Sequence, residues 1–534
     1  MPPHRPRPGG VKDPLVYSIE TIVMTPTEAI IQFTLWLYLV LMLLLAVTGA
    51  HWMVMIVMAK VLPRRIPDNP PALPGPPRVL IQIPVFNEDN VVERIIDSAA
   101  QVDYPREKLS IQVLDDSTNE HAVKLAADRC AHWQEAGVQV EHVRRPDRAG
   151  YKAGALQYGL GLDDSPYVAI FDADFIIPKD FLTRSLGHFA QDNVGIVQWR
   201  WDHLNENDSW LTRAQGAMLD GHFLVEEVAR SRAGWWCIFH GTAGIWRRAC
   251  IDDAGGWSAD TLAEDKDLSL RAYFNGWQIA YMDNAGCPAE LPPTPAAFFS
   301  QQYRWTKGNI EVAVKLGPKV LKTSLSLAQK MEIVWRLYAP LAYLAVAPLL
   351  LLSTVLLLIK HIGVYHPPLW WMISVIVCWV FSLGFAFVAI VGAMARGRSW
   401  AHGLRVLPAL LLIGPALAIS NTAAVLQALR GNRSAFVCTP KFGDKAEASQ
   451  ADAGLDAQSV QPISTAPLAP QAKTKRANRI GWRLPETIMA AWLLMGAFIA
   501  VLTPTVSLFM PILGLASCGC FWAARGRRLS LLTG

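Results

Sequence analysis

Long apolar runs frame a more polar interior in this chain. The first, at residues 29–61, is long enough for one tilted membrane span, since about 20 helical residues cross the hydrocarbon. Others follow the interior at 334–359, 370–393 and 402–429, with a pair within 486–522. Between 78 and 300 the pattern changes. Short β-rich apolar runs at 79–86, 111–114, 138–143, 167–171 and 195–199 alternate with helical periodicity. That alternation predicts an α/β domain built on a mostly parallel, doubly wound sheet. In such a sheet ligands bind beyond the carboxyl ends of the strands, where Asn87, Asp115, Asp116, Asp172 and Asp174 fall.

Charge orients these pieces. Lys60, Arg64 and Arg65 follow the first run and place the interior domain in the cytoplasm, with the polar, proline-rich tail 1–28 outside. That run is longer than a signal-peptide core, so 29–62 is expected to stay as an anchor. A stiff proline-rich linker spans 67–77, and an amphipathic interface segment occupies 301–333. The segment 402–429 conflicts with the charge rule: Arg396 and Arg398 precede it, while Arg430, Arg433 and Lys441 follow it. It is therefore expected to lie in the interface or to re-enter, an expectation its Ser420, Asn421 and Gln427 support, and the crossings then number about five: 29–62, the hairpin 334–393 and the hairpin 486–522. Residues 446–483 form an Ala, Ser, Gln and Pro mixture with a basic flank, read as a flexible loop.

Composition agrees. Of 534 residues 52% are hydrophobic and 17% charged, too greasy for a purely soluble protein. The net charge of +5 is modest and forms no basic stripe with interleaved aromatics, so nucleic acid is not an expected partner. Eight scattered cysteines lack metal-ligand spacing and suggest reduced thiols.

Asp115-Asp116 and Asp172-Ala-Asp174 bring four carboxylates to one rim, where their repulsion calls for a cation. Hard oxygen ligands suit Mg²⁺ or Mn²⁺ held with substrate phosphates, with Asp172 and Asp174 as the metal residues. An isolated D-x-D more often caps a helix; several signals in order carry more weight. Lys152, in Gly150-Tyr-Lys-Ala-Gly154, begins a helix where an ammonium and backbone N–H groups can face a phosphate. Glu264-Asp265 offers adjacent carboxylates, with Asp265 the chosen general base. In Gln301-Gln-Tyr-Arg304-Trp305 a guanidinium can grip pyrophosphate and an indole can face a sugar, although Arg plus Trp near a membrane also serves as an anchor. No G-x-x-x-x-G-K-[ST] is present, which disfavours an ATP-driven transporter.

Taken in order, Pro84-Val-Phe-Asn87-Glu88, Val113-Leu-Asp115-Asp116-Ser-Thr118, Asp172-Ala-Asp174, Gly241-Thr-Ala-Gly244, Glu264-Asp265 and Gln301-Gln-Tyr-Arg304-Trp305 resemble the processive family 2 glycosyltransferases. This is the cellulose synthase-like group, and the wording is nearest to mannan synthases and bacterial β-glucan synthases. The resemblance covers about 79–441. It implies a GT-A type catalytic domain inserted between transmembrane helices, and a multi-pass protein of the bacterial inner membrane. It implies a nucleotide-sugar site of Asn87, Glu88, Asp115, Asp116, Lys152 and Asp172, and an acceptor and pyrophosphate end of Gln301, Arg304, Trp305, Gly241 and Thr242. Phe436-Val-Cys438-Thr439-Pro-Lys441 resembles the family's gating loop, within 430–445, with Phe436, Thr439 and Lys441 as its contacts and Cys438 in place of valine. His240 stands where relatives have asparagine. The implied activity is inverting transfer of a hexose from UDP-glucose or GDP-mannose to a growing β-linked glycan, with membrane lipids around it and room for an export partner. The alternative is a non-processive enzyme that makes a glycolipid.

Overall fold

The computed structural model describes residues 25–67, 70–432, 483–503 and 509–532. Residues 1–24 of the expected tail 1–28, most of the expected gating loop with Phe436, Thr439 and Lys441, and the loop 446–482 lie outside the described residues, while Pro26–Glu28 already belong to the first helix.

The interior domain is built on a seven-stranded sheet ordered β3-β2-β1-β4-β6-β5-β7. The strands are β1 Val79–Val85, β2 Leu109–Asp115, β3 Val140–Val143, β4 Tyr167–Ile170, β5 Val194–His203, β6 Gly244–Arg247 and β7 Gln278–Ala289. Five of them match the expected runs. β6 and β7 were not anticipated, and β6 runs antiparallel to both β4 and β5. The sheet is therefore mixed, although β1, β2, β3 and β4 pair in parallel, as do β5 and β7.

Residues of β1 explain why the runs read as continuously apolar. Val79, Ile81, Ile83 and Val85 enter one core cluster, with Val92, Ile95 and Ile96 of helix Val92–Ala100. Leu80 enters the other, with Ala153, Leu156 and Leu160 of helix Tyr151–Leu160. A strand covered on both faces has no polar side to alternate. The polar exception, buried Gln82, donates to Gln112 Oε1 at 3.1 Å and to Leu156 O at 3.3 Å. Chain order runs outward from β1 to β3 and resumes with β4 on the other flank of β1. That switch point opens a crevice at the carboxyl ends of β1, β2 and β4.

Among the described residues five helices are long and apolar enough to cross a membrane: Pro26–Val61, Leu327–His361, Leu369–Ala395, Trp400–Leu429 and Leu484–Leu502. The expected number agrees but its members differ. Trp400–Leu429 qualifies by length and hydropathy, and the last apolar stretch, Ile512–Ala524, is shorter. The first helix begins on a Thr25–Glu28 capping box with Pro26 in its first turn, and Leu62 caps its end.

Contacts separate the bundle's two ends. At one, Gln32 meets Tyr365 at 3.0 Å and Trp371 Nε1 donates to Leu35 O. At the other, Arg396 and Arg398 pair with Asp202, Asp220 and Glu206 of the sheet domain. Helix Trp400–Leu429 makes several contacts near this second end. Gly403 packs on Ile390, Thr422 Oγ1 donates to Tyr343 O, and Gln427 Oε1 accepts from Tyr303. Arg396 and Arg398, two of the cations in the charge argument, are thus partners of the sheet domain's carboxylates.

The first helix meets the break between Leu369–Ser382 and Gly384–Ala395 without a side chain on either side. A Cβ on Gly384 would lie 2.1 Å from Gly49 O, and one on Gly49 would lie 1.8 Å from Phe381 O. Backbone cannot yield as a flexible side chain can, so Gly384→Val should separate the helices. The expected result is a drop of several degrees or more in the melting temperature of the detergent-solubilised chain, against little change for Gly363→Val on an uncrowded turn corrected for its positive φ. Equal melting of Gly384→Val and wild type would show that the contact carries no stability.

Candidate active site

Beyond the carboxyl ends of the strands a cleft of about 200 Å³ is lined by Phe86, Glu88, Asp116, Arg148, Lys152, Asp172 and Asp174. Its other wall carries His240, Gly241, Glu264, Asp265, Gln301, Arg304 and Trp305. Residues from nearly the whole domain thus converge on one place. Asn87, Asp115 and Thr242 stand behind this surface instead. Asn87, at φ 54°, accepts at Oδ1 from the backbone N–H groups of Thr118 and Asn119, each at 2.9 Å, and so holds the β2 loop. Asp115 is buried against His142 Nε2 at 2.8 Å; burial alone would push its carboxyl up, but His142 and Ser117 outweigh it and hold the group below its usual range. Thr242 Oγ1 accepts from Asp172 N at 2.9 Å and fixes the backbone that presents Asp172.

Asp116 lies in the cleft wall with both oxygens engaged by Arg145, at 2.7 and 2.6 Å. The guanidinium of Arg148 stacks over Phe86, 3.2 Å from the ring centroid, and forms an edge of the same pocket. Neither arginine was singled out in the sequence. Their signal was position, since both lie in the turn between β3 and helix Tyr151–Leu160.

Lys152 is the hub of the far side. Its Nζ donates to Asp172 Oδ1 at 2.6 Å and to Gly241 O at 2.9 Å, with Glu264 Oε1 3.9 Å away. Burial opposes its charge, yet Asp172 and Glu264 raise its pKa. Gly241 adopts φ 80°, and a Cβ there would come within 3.0 Å of Asp265 Oδ2, so this rim position combines a left-handed backbone with close approach. Asp265 sits in the first turn of helix Glu264–Phe274, where Lys266 N donates to its Oδ1 at 2.7 Å. Burial pushes Glu264 up to about 7, reinforced by the charge of Asp265; burial likewise raises Asp265. Two adjacent buried carboxylates therefore share their ionisation, and one of them is poised near neutral pH.

Asp265 must be ionised to accept a proton, and burial raises its pKa, so turnover should rise with pH through a midpoint above the usual aspartate range. Glu264→Gln removes the neighbouring charge and should move that limb to lower pH. A pH–rate profile of the two proteins checks this; coincident limbs would place the titration elsewhere.

Asp172 and Asp174 offer oxygen donors on one wall, a set that fits a hard divalent cation such as Mg²⁺ or Mn²⁺. A second grouping, His222, Glu227 and His240, lies behind the rim with ligand atoms within 4.8 Å of one another. A π-turn at His222–Glu226 creates it by bringing positions five apart onto one helix face. Glu227 there already pairs with Arg336 and Arg230, so guanidinium charge fills the place a cation would take. Sequence periodicity gave no sign of this turn.

In the same cleft Trp305 is 38% exposed and its ring lies 6.4 Å from that of Trp201. Helix Pro295–Val320, started by Thr294 and Pro295, aims Gln301, Arg304 and Trp305 at the cleft together. This spacing of residues three and four apart is the one the sequence offered.

Comparison with known proteins agrees with this geometry. The family model "Glycosyl transferase family 2" matches residues 80–253, and "Glycosyl transferase family group 2" matches 167–417. A rice protein (Oryza sativa subsp. japonica) named probable glucomannan 4-beta-mannosyltransferase 11 is 42% identical over 250 residues, 46% of this chain and 44% of its own. Glucomannan 4-beta-mannosyltransferase 2 of Arabidopsis thaliana is 41% identical over 250 residues, 46% of this chain and 47% of its own. The chain thus spans about half the length of the curated relatives it matches. A solved mannosyltransferase of Pyrobaculum calidifontis, in complex with GDP-Man and Mn²⁺, aligns with 76% of this chain and 99% of its own at 20% identity and a TM-score of 0.47, too low to bear on the site. The two family models overlap at 167–253 and together span 80–417, the range that holds the mixed GT-A type sheet and the carboxylate-rimmed cleft, so the similarity of this chain to family 2 glycosyltransferases covers its candidate site.

Proposed function

We propose that this protein is a membrane-embedded, inverting hexosyltransferase that adds sugar from a nucleotide donor to a β-linked, mannan-type polysaccharide. The observation that carries the proposal is the buried Glu264-Asp265 pair facing Lys152 and Gly241, in the same cleft as Asp172, Asp174, Arg304 and Trp305. The names of the curated relatives support mannose as the sugar, with GDP-mannose as donor and UDP-glucose the competing one.

In this mechanism Asp265 takes a proton from an acceptor hydroxyl, whose oxygen forms a bond to the anomeric carbon as the bond to the nucleoside diphosphate breaks. Inversion of an α-linked donor gives a β-linkage. Arg304 and the ammonium of Lys152 offset charge on the departing diphosphate, and Trp305 gives the acceptor sugar an apolar face. Asp172 and Asp174 would hold a divalent cation, which supplies further charge neutralisation to the diphosphate. Asn87, Asp115 and Thr242 act behind them as props for the loop and backbone that shape the donor side.

Helix Trp400–Leu429 is assigned to the cytoplasmic interface, along the inner ends of the spans, because its contacts lie at the end of the bundle that meets the sheet domain. Incubating the purified chain and Mg²⁺ or Mn²⁺ with radiolabelled GDP-mannose or UDP-glucose tests the proposal. High-molecular-weight labelled glycan from one donor is expected. Label confined to organic-extractable lipid would assign the chain to glycolipid synthesis, and no transfer from either donor would overturn the proposed donors.

A further inference from the structure

Three arginines, Arg144, Arg145 and Arg148, lie in the turn between β3 and helix Tyr151–Leu160, and two of them are committed to holding the loop after β2. Arg144 Nη2 donates to Ser117 O at 2.9 Å. Arg145 grips both oxygens of Asp116 and also donates to Tyr151 O at 2.8 Å. Arg148 differs from both. Its guanidinium lies over Phe86, 5.1 Å from the ring centroid of Tyr151, with Nε 3.9 Å from Asp116 Oδ2. That Nε is buried with no hydrogen-bond partner among the described residues.

A guanidinium that lies over a ring keeps its N–H groups in its own plane, where they can donate at its edge. Arg148 therefore offers donors beside a carboxylate whose oxygens each keep a lone pair after Arg145 is bound. Phe86, Asp116 and Arg148 all line the active-site cleft. A diphosphate does not suit this corner, because Asp116 would repel it. The sheet also sets the corner apart from Asp172: β2 and β4 flank β1, so the backbones of Asp116 and Asp172 stand two strand spacings apart, roughly 10 Å. That is the scale separating the base of a nucleoside diphosphate from its terminal phosphate. An acceptor and a donor side by side fit the edge of a base, and guanine matches them most fully. It presents two N–H donors, at N1 and N2, next to two acceptors, O6 and N7. Uracil has one N–H between two carbonyls, and adenine one amino group between two ring nitrogens.

We propose that Arg148 selects guanine in the donor, its guanidinium donating to O6 and N7 while Asp116 accepts from the N–H groups at N1 and N2. The assignment rests on the reading of the chain as a nucleotide-sugar transferase and deepens it, naming the base and the side chain that reads it. Arg145 fixes Asp116 from behind, and Phe86 holds the plane of the guanidinium.

Equilibrium binding of GDP, UDP and 7-deaza-GDP, in which carbon replaces N7, to the full-length detergent-solubilised chain in Mg²⁺ tests the assignment. Wild type should bind GDP at least about tenfold tighter than UDP. Arg148→Met, which keeps an apolar chain beside Phe86, should weaken GDP about 10- to 100-fold, the worth of a bidentate arginine–guanine contact. It should weaken UDP no more than about fivefold, the share of one hydrogen bond, and retained UDP binding shows that the variant is folded. Wild type should bind 7-deaza-GDP about tenfold more weakly than GDP, whereas Arg148→Met should bind the two alike. Equal loss of GDP and UDP in Arg148→Met would make the residue a diphosphate contact, and a 7-deaza penalty that persists in the variant would set N7 against another group. Either result overturns the assignment. A wild-type preference for UDP would also overturn it and leave the transferase reading standing, whereas binding of neither nucleotide would overturn both.

Discussion

Asp265→Asn should lower sugar transfer by about 10²- to 10⁴-fold, the range that a positioned general base contributes, while donor affinity changes little. The amide is nearly isosteric and keeps an oxygen to accept from Lys266 N, so the turn that presents the residue should survive. What it loses is the ability to take a proton. Glu264 is the natural rival, but its carboxylate lies toward Lys152, with Oε1 3.9 Å from Nζ. Asp265 Oδ2 instead faces the rim at Gly241, in the cleft that Trp305 also lines. Steady-state transfer from labelled donor, paired with an equilibrium donor titration, separates chemistry from binding. Transfer within threefold of wild type would remove Asp265 from the role; a comparable loss in Glu264→Gln with donor affinity intact would give the role to Glu264.

The parts of this molecule legible in the sequence are those whose cause is local. β1, β2 and β4 are short, β-branched and buried on both faces, so their runs stand out and their acidic ends fall where the switch point puts the cleft. β7 was missed because Asp283, Asn284, Gly286 and Pro288 interrupt its pattern, its pairing with β5 supplying the stability that its composition lacks. β6 is four residues long and reversed, and no periodicity can show direction. In the site, Lys152 was placed correctly at a helix start, yet its partners Asp172 and Gly241 are 20 and 89 residues away and follow from the fold alone. The basic residues around 402–429 were read for topology alone; that Arg398 is engaged by Glu206, 192 residues away, follows from the fold and not from charge counting.

The largest effect on stability is expected where the sheet domain grips the membrane helices through buried charge. Glu227, fully buried beside the π-turn, pairs with Arg336 of helix Leu327–Tyr338 and lies 3.5 Å from Arg230, which in turn donates to Glu332 at 2.8 Å. Arg336 also donates to Trp236 O at 3.1 Å, in the segment that leads to His240 and Gly241. Removing one charge strands the other out of water, so Glu227→Gln or Arg336→Met should each cost about 3–5 kcal/mol. The double variant strands less charge, and its cost should fall well below the sum of the singles. Melting temperatures of the four proteins in detergent give the coupling; additive losses would mean that the pair is not a unit. Sugar transfer by the double variant then asks a second question. If the pair serves folding alone, a folded double variant should turn over like wild type. If the pair also fixes the rim, turnover should fall while donor affinity holds, because Trp236 O loses its guanidinium and the segment ending at Gly241 loses its anchor beneath Asp265.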